Sequence, residues 1–380
     1  MPTKMKEDYQ RKTKVEFYPA AIVGHFNKLT SVPENPIYRF WQKDSPFTYD
    51  KLLYSFYYLQ NRYKKLGKDE SYFDSINYTG KRMIDSGGFQ VRTIGADIKP
   101  EDVINIYERE RADVGFILDI PMIGEWNEEY INKTLYNVEY MVSQKERIPN
   151  TELLNVSHGY SPKDRRNYYE RFSKYNDKLD GWAVGLIKKL PPIFNAWSFM
   201  FLYENDKTLK DKRFHFLGLT GNKNLAMIYY LARKNLVKSI SFDSTKYGRE
   251  GMLADIRNPA YLQERTVIGR YKPYKLKSNK HCPCPICQQV TIEDMAKDVN
   301  LCIMHNLFWE IKKMDFFDNL ETDEDVRNFV FQSGLFNDQT KTALDFIDYA
   351  LKYGLDDAEK HFKEHFKLKK YRNNNLSEWI

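Results

Sequence analysis

Four cysteines occur in the 380 residues, and all four fall between Cys282 and Cys302. Cys282, Cys284 and Cys287 form a C-x-C-x2-C turn, and the segment "LCIMHN" then supplies Cys302 and His305. Three thiolates in a tight turn and one donor from a following helix are what a closed, structural tetrahedral zinc site requires. Cys302 and His305 lie three apart on one helix face, so either could complete the set. A disulfide framework would spread its cysteines across the fold, whereas this clustering reads as metal binding. A second group of residues points to different chemistry. The stretch "RMIDSGGFQ", Arg82 to Gln90, ends an apolar run in an acid, a serine, two glycines, an aromatic and an amide. A plain core strand has no use for the carboxylate, and a plain surface turn none for the aromatic. Asp119 closes "GFILDIP" and Asp243 closes "SISFDST" in the same manner. Each acid alone reads as a helix N-cap. Three of them closing three separate runs form a constellation.

The elements that must position these residues are short apolar runs followed by helix-like segments. The runs are "AAIVGH", "LLYSFYY", "RMIDSGG", "GFILDIP", "LLNVSHG", "GWAVGL", "FHFLGLTG" and "SISFDST". Between them lie segments such as "PEDVINIYERER", with Pro100 in a first-turn position and Val103, Ile104 and Tyr107 on one face. Strand and helix alternating in this way predict an α/β fold, a (β/α)8 barrel of the TIM type, with an open doubly wound sheet as the rival. In such barrels the chemistry sits at the C-terminal ends of the strands. The residues closing the runs there are Asp85, Asp119, His158, Gly185, Gly218 and Asp243. The reading divides the chain into a catalytic barrel over residues 1–275, a zinc-binding subdomain over 276–312 and a C-terminal helical segment over 313–380.

Bulk composition is that of a globular chain able to bury a large core, 42% hydrophobic with a net charge of +7. The 59 basic residues are interspersed with 52 acidic ones, a weak bias toward a polyanionic partner. No run of about 18 apolar residues is present to cross a bilayer, and "MPTKMKEDYQRKTK" is charged where a signal peptide carries an apolar stretch. The expected location is therefore the cytoplasm, that of the host if the chain is phage-encoded, with no membrane partner.

Taken together, these motifs resemble the tRNA-guanine transglycosylase superfamily. "DSGGFQ" at Asp85 to Gln90, "FDS" at Phe242 to Ser244, the C-x-C-x2-C turn and "MHNL" at Met304 to Leu307 match its landmarks in order, and "GWAVGL" and "HFLGLTGN" are similar to two more. The resemblance runs from about Pro19 to Trp309. It implies a barrel with a structural Zn2+ held by Cys282, Cys284, Cys287 and His305. It also implies exchange of guanine in a nucleic acid for a 7-deazaguanine such as preQ0. Cleaving the N-glycosidic bond develops positive charge at C1′, so a carboxylate can hold the sugar covalently. By resemblance that nucleophile is Asp243, and Asp85 is the general acid/base. Asp119 would accept from the Watson–Crick edge of the purine. Ser86, Gly87, Gly88, Phe89 and Gln90 would line the base site, with Phe89 offering a stacking face. Gly185 and Leu186 would touch the other ring edge, and Leu217 and Gly218 would close the pocket.

Two positions depart from the family pattern. His158 stands where many members carry a glutamine, and Leu186 takes the place of a second glycine. "FDSTKYGREG" and the Cys287 to His305 interval are shorter than in tRNA-modifying bacterial members, and no further RNA-binding domain is expected after the zinc unit. These features favour the DNA-modifying branch of phages and bacterial modification clusters, with tRNA as the alternative substrate. Lys246, Arg249, Lys272, Lys275, Lys277 and Lys280 are candidate phosphate contacts around the mouth. A homodimer or an accessory protein would fit a barrel without a recognition domain. A non-catalytic nucleic-acid-binding partner subunit is the rival function, and the presence of both Asp85 and Asp243 argues against it.

Overall fold

A computed structural model describes residues 15–21, 36–66, 70–123, 126–185, 190–219, 221–252, 255–257, 265–267, 282–334, 336 and 338–366. Eight parallel strands form one sheet: β1 (Val15–Pro19), β2 (Lys51–Ser55), β3 (Lys81–Asp85), β4 (Val114–Phe116), β5 (Glu152–Ser157), β6 (Gly181–Val184), β7 (Arg213–Phe216) and β8 (Ser239–Ser244). Sequential neighbours pair from β2 through β8, and β8 then pairs with β1, with Tyr18 opposite Asp243. The sheet nearly closes on itself through a parallel bridge from Ala20 to Leu53, with the Ala21 N–H donating to the Leu53 carbonyl at 2.9 Å. The expected α/β barrel is therefore the observed fold. A short antiparallel pair, β9 (Asp255–Arg257) and β10 (Arg265–Val267), follows β8.

Several strands differ from their sequence-based placement; in "GFILDIP", β4 already ends at Phe116, so Asp119 lies in the loop beyond it and not at the strand's last position. The first strand was expected in "AAIVGH"; the strand is instead "VEFYP", and Ile22 to His25 lie outside the described residues. Glu16 makes that segment look polar, yet inside the barrel its carboxylate pairs with Arg213 of β7. In "LLYSFYY" the strand stops at Ser55, and Phe56 already begins the helix Phe56–Leu66.

The barrel interior is filled in layers, as closure of eight tilted strands demands. At the N-terminal end, Arg213 bonds Glu16 and Glu152, the latter at 2.5 Å through Nε. One layer higher, the buried imidazole of His215 meets the ring of Phe116 across the barrel, centroids 5.2 Å apart. Above it, the strands end in the acids.

Helices cover the outside. Pro100–Glu110 buries Val103, Ile104 and Tyr107 as its spacing predicts. The helices Asp338–Tyr353 and Leu355–His361 dock on Pro192–Asn205 and Asn222–Arg233. There the Trp197 indole donates to Glu359 at 3.0 Å, Tyr230 Oη to Asp348 at 2.6 Å and the Leu355 N–H to Glu204 at 3.0 Å. Among the described residues no helix is long and apolar enough to cross a membrane.

Candidate active site and metal centre

The mouth of the barrel is built from the segments that leave β3, β4, β5, β6, β7 and β8. Asp85 is the last residue of β3 and lies in register with Ser55 of β2. Its Oδ1 accepts from Ser55 Oγ at 3.0 Å and from the Gly87 N–H at 2.8 Å. The residue is half-buried. Burial pushes its carboxyl up to about 7; Asp243 and Asp119 add to this, against the two hydrogen bonds.

Gly87 turns the chain with φ +76° and caps the helix Gly88–Ile94. A Cβ on Gly88 would lie 1.8 Å from the Asp119 carbonyl oxygen, so the packing there excludes every other residue type. Phe89 and Gln90 sit half-buried in the first turn of that helix.

Asp119 lies in the loop leaving β4, and the helix Glu128–Ser143 pins that loop. Thr134 Oγ1 accepts from the Ile120 N–H at 3.0 Å, Asn137 Nδ2 donates to the Leu118 carbonyl at 2.8 Å, and Met141 Sδ meets the Leu118 N–H at 3.1 Å. Residues 134, 137 and 141 share one helix face. The buried Asp119 carboxylate then receives Ser86 Oγ at 3.3 Å on Oδ1 and pairs with His158 Nε2 at 2.6 Å through Oδ2. His158 directly follows β5 and is buried. Gly185 follows β6 and packs so closely on that imidazole that a Cβ would fall 2.8 Å from Cε1.

Beneath these strand ends lies Arg165, fully buried in the helix Pro162–Phe172. Its guanidinium donates to the Ser157 carbonyl at 3.0 Å, to Ser157 Oγ at 3.2 Å and to the Gly185 carbonyl at 3.2 Å. Burial lowers its pKa to about 9. It ties the end of β5 to the end of β6.

Asp243 lies in β8. Its Oδ1 accepts from the Gly218 N–H at 2.6 Å and lies 3.2 Å from His215 Nε2. Leu217, half-buried beside it, is held by its N–H to the Val184 carbonyl at 3.1 Å. The sequence-derived set thus gathers at one end of the barrel, apart from Leu186, which lies outside the described residues together with Lys272, Lys275, Lys277 and Lys280. Lys246 and Arg249 lie on the helix Lys246–Met252 after β8. Sequence reading missed Ser55, Arg165 and His215. A lone serine closing an apolar run and a lone histidine inside one were the available signals.

The cysteine cluster forms a second centre. Cys284 Sγ and Cys287 Sγ lie 3.2 and 3.3 Å from His305 Nδ1, and Cys282 Sγ lies 4.0 Å away. The four ligand atoms are all within 4.8 Å of one another and all four residues are buried. Tetrahedral Zn–S and Zn–N bonds of about 2.3 and 2.1 Å place donors roughly 3.6–3.8 Å apart. The group therefore fits a metal ion such as zinc. Cys302 points elsewhere, its thiol donating to the Met295 carbonyl at 3.3 Å. His305 lies in the helix Val299–Asp318, which packs on the helix after β8; Asn306 Nδ2 donates to the Tyr247 carbonyl at 3.3 Å.

No protein-family profile matches the chain. A tRNA-guanine(15) transglycosylase of Methanococcus aeolicus is 24% identical over 258 residues, covering 64% of this chain and 38% of the relative. The Sulfolobus acidocaldarius protein of the same name is 24% identical over 263 residues, 64% of this chain and 49% of its own. The uncharacterized protein 306 of Sulfolobus islandicus rod-shaped virus 1 is 28% identical over 145 residues, 38% of this chain and 44% of its own. The chain spans less than half the length of the archaeal relatives it matches. The archaeal relatives carry one name between them, so the similarity of this eight-stranded barrel chain, over about 64% of its length, is to the tRNA-guanine transglycosylase superfamily.

Proposed function

We propose that the protein is a pentosyltransferase that exchanges guanine in a nucleic acid for a 7-deazaguanine base. The observation that carries this reading is the pair of carboxyls, Asp85 and Asp243, at one end of the barrel. Asp85 is held up to about 7, poised to give and take a proton near neutrality. Among the described residues, the hydrogen bonds to Asp243 fall on Oδ1, and Oδ2 is the oxygen we assign to the reaction.

In the first half-reaction Asp243 Oδ2 forms a bond to C1′ as the bond to the guanine nitrogen breaks, and Asp85 donates its proton to the departing base. In the second, Asp85 takes the proton from the incoming 7-deazaguanine, whose nitrogen bonds to C1′ as the ester to Asp243 breaks. Asp119 accepts from the ring N–H and exocyclic amine, with Ser86 and His158 holding its orientation. Phe89 and Leu217 flank the ring, and Gln90, Gly185, Leu186 and Gly218 complete the pocket. Either polymer must present the target nucleotide turned out of its stack. Cys282, Cys284, Cys287 and His305 hold a structural zinc ion, in a subdomain that follows the barrel.

We infer DNA as the polymer, on the departures at His158 and Leu186 and the short segment after Asp243. The archaeal relatives' own names support the tRNA reading. Incorporation of labelled guanine and of 7-cyano-7-deazaguanine into matched pools of tRNA, single-stranded DNA and duplex DNA tests both. Label in DNA alone supports the full reading, and label in tRNA alone overturns the polymer but keeps the chemistry. Label in no pool overturns the enzyme in favour of a binding subunit.

A further inference from the structure

The middle layer of the barrel carries two polar side chains where branched aliphatics usually pack. His215 of β7 and Ser241 of β8 are both fully buried. Ser241 Oγ lies 2.8 Å from His215 Nδ1, and His215 Nε2 lies 3.2 Å from Asp243 Oδ1. A carboxylate can only accept, so Nε2 must bear the proton. Burial, outweighing the neighbouring Asp243, lowers the imidazole pKa and keeps the ring neutral. Nδ1 is then an acceptor, and the Ser241 hydroxyl donates to it. The chain of donation runs in one direction, from Ser241 through His215 to Asp243, where the Gly218 N–H meets the same oxygen at 2.6 Å.

We propose that His215, with its tautomer set by Ser241, is a positioning residue for the nucleophile. Together with the Gly218 N–H it locks Oδ1 and thereby aims Oδ2 at C1′. The inference rests on the transglycosylase reading of Asp243. Its consequence reaches both half-reactions. Once Oδ2 is bonded to C1′, Oδ1 is the ester carbonyl oxygen. When the ester breaks, the electron pair returns to the carboxylate, and two fixed donors meet the charge that develops on Oδ1. Packing alone would not require a donor here, because an apolar side chain would fill the space against Phe116 at lower desolvation cost.

The test compares His215→Leu and His215→Gln with wild type, as full-length metal-loaded protein. The readouts are trapped protein–nucleic acid adduct in single turnover, kcat and KM for the base, and thermal melting. Gln places an amide N–H near the position of Nε2; Leu does not. The expected result is a loss of about 10²-fold in adduct formation and kcat for His215→Leu, with KM for the base unchanged. His215→Gln is expected within about tenfold of wild type. Wild-type rates in His215→Leu overturn the inference, as does a folded His215→Gln as slow as His215→Leu. If His215→Leu does not fold, the rate of His215→Gln decides by the same tenfold limit. Absence of adduct in wild type itself overturns the transglycosylase reading, and this inference falls with it.

Discussion

Gly88 rests directly on the main chain of Asp119: a Cβ added to the glycine would fall 1.8 Å from the Asp119 carbonyl oxygen. The loop that carries one acid is thus seated on the helix that begins beside another. Replacement by alanine cannot be absorbed by a side-chain rotation, because the obstacle is backbone. Gly88→Ala is expected to cost about 1–3 kcal/mol by overpacking and to raise KM for the base by moving Asp119. Urea denaturation and steady-state kinetics check the two effects separately.

The raised carboxyl of Asp85 sets a pH dependence with a defined sign. The unfolded chain releases this proton near pH 4, while the folded chain holds it up to about 7. Between those values the folded state binds more protons, so this group's contribution to stability falls as pH rises through the window. Asp85→Asn is expected to remove that fall, and melting at pH 5 and pH 8 measures it. Adduct formation needs the protonated acid, so its single-turnover rate in wild type is expected to decline above about pH 7. In Asp85→Asn it should be slow throughout.

Asp243→Asn is expected to abolish the covalent adduct while leaving the fold intact. Denaturing gels of protein trapped on labelled nucleic acid report this directly; an undiminished adduct would exclude Asp243 as the nucleophile.

Cys284→Ser breaks the Cys3His group and is expected to release the metal and lower the melting temperature, because binding and local folding are linked. Cys302→Ser should keep full metal content, since that thiol bonds the Met295 carbonyl. Metal analysis of the purified variants distinguishes them.

At the opposite end of the barrel, burial alone would raise the Glu16 carboxyl. Arg213, with Lys81 and Lys51, overcomes this and holds it down to about 2. The stabilisation is present above the unfolded value and is lost as pH falls toward 2. Glu16→Gln is expected to cost on the order of 2 kcal/mol at pH 7 and progressively less below pH 4. Denaturant titrations across that range follow it.

The sequence by itself determined the chemical inventory. Strand and helix alternation predicted the barrel, and Asp85, Asp119 and Asp243 were legible because each closes an apolar run. Three residues of the Cys3His group were legible because they lie within one short turn, while local pattern left the fourth open between Cys302 and His305, and the tertiary structure brings His305 to the three thiols. What the tertiary structure decided depends on contacts between residues far apart in the chain. Glu16 reads as polar in isolation, yet "VEFYP" is a strand because Arg213, nearly two hundred residues later, neutralises it inside the barrel. Thr134, Asn137 and Met141 look like ordinary helix residues until the loop carrying Asp119 is seen to hang from them. His215 and Ser241 read as interruptions in apolar runs, and only the parallel pairing of β7 with β8 brings His215 opposite Ser241, directly below Asp243. Local pattern names the residues that can act. Barrel closure and strand register set the distances between them, and no local pattern carries those distances.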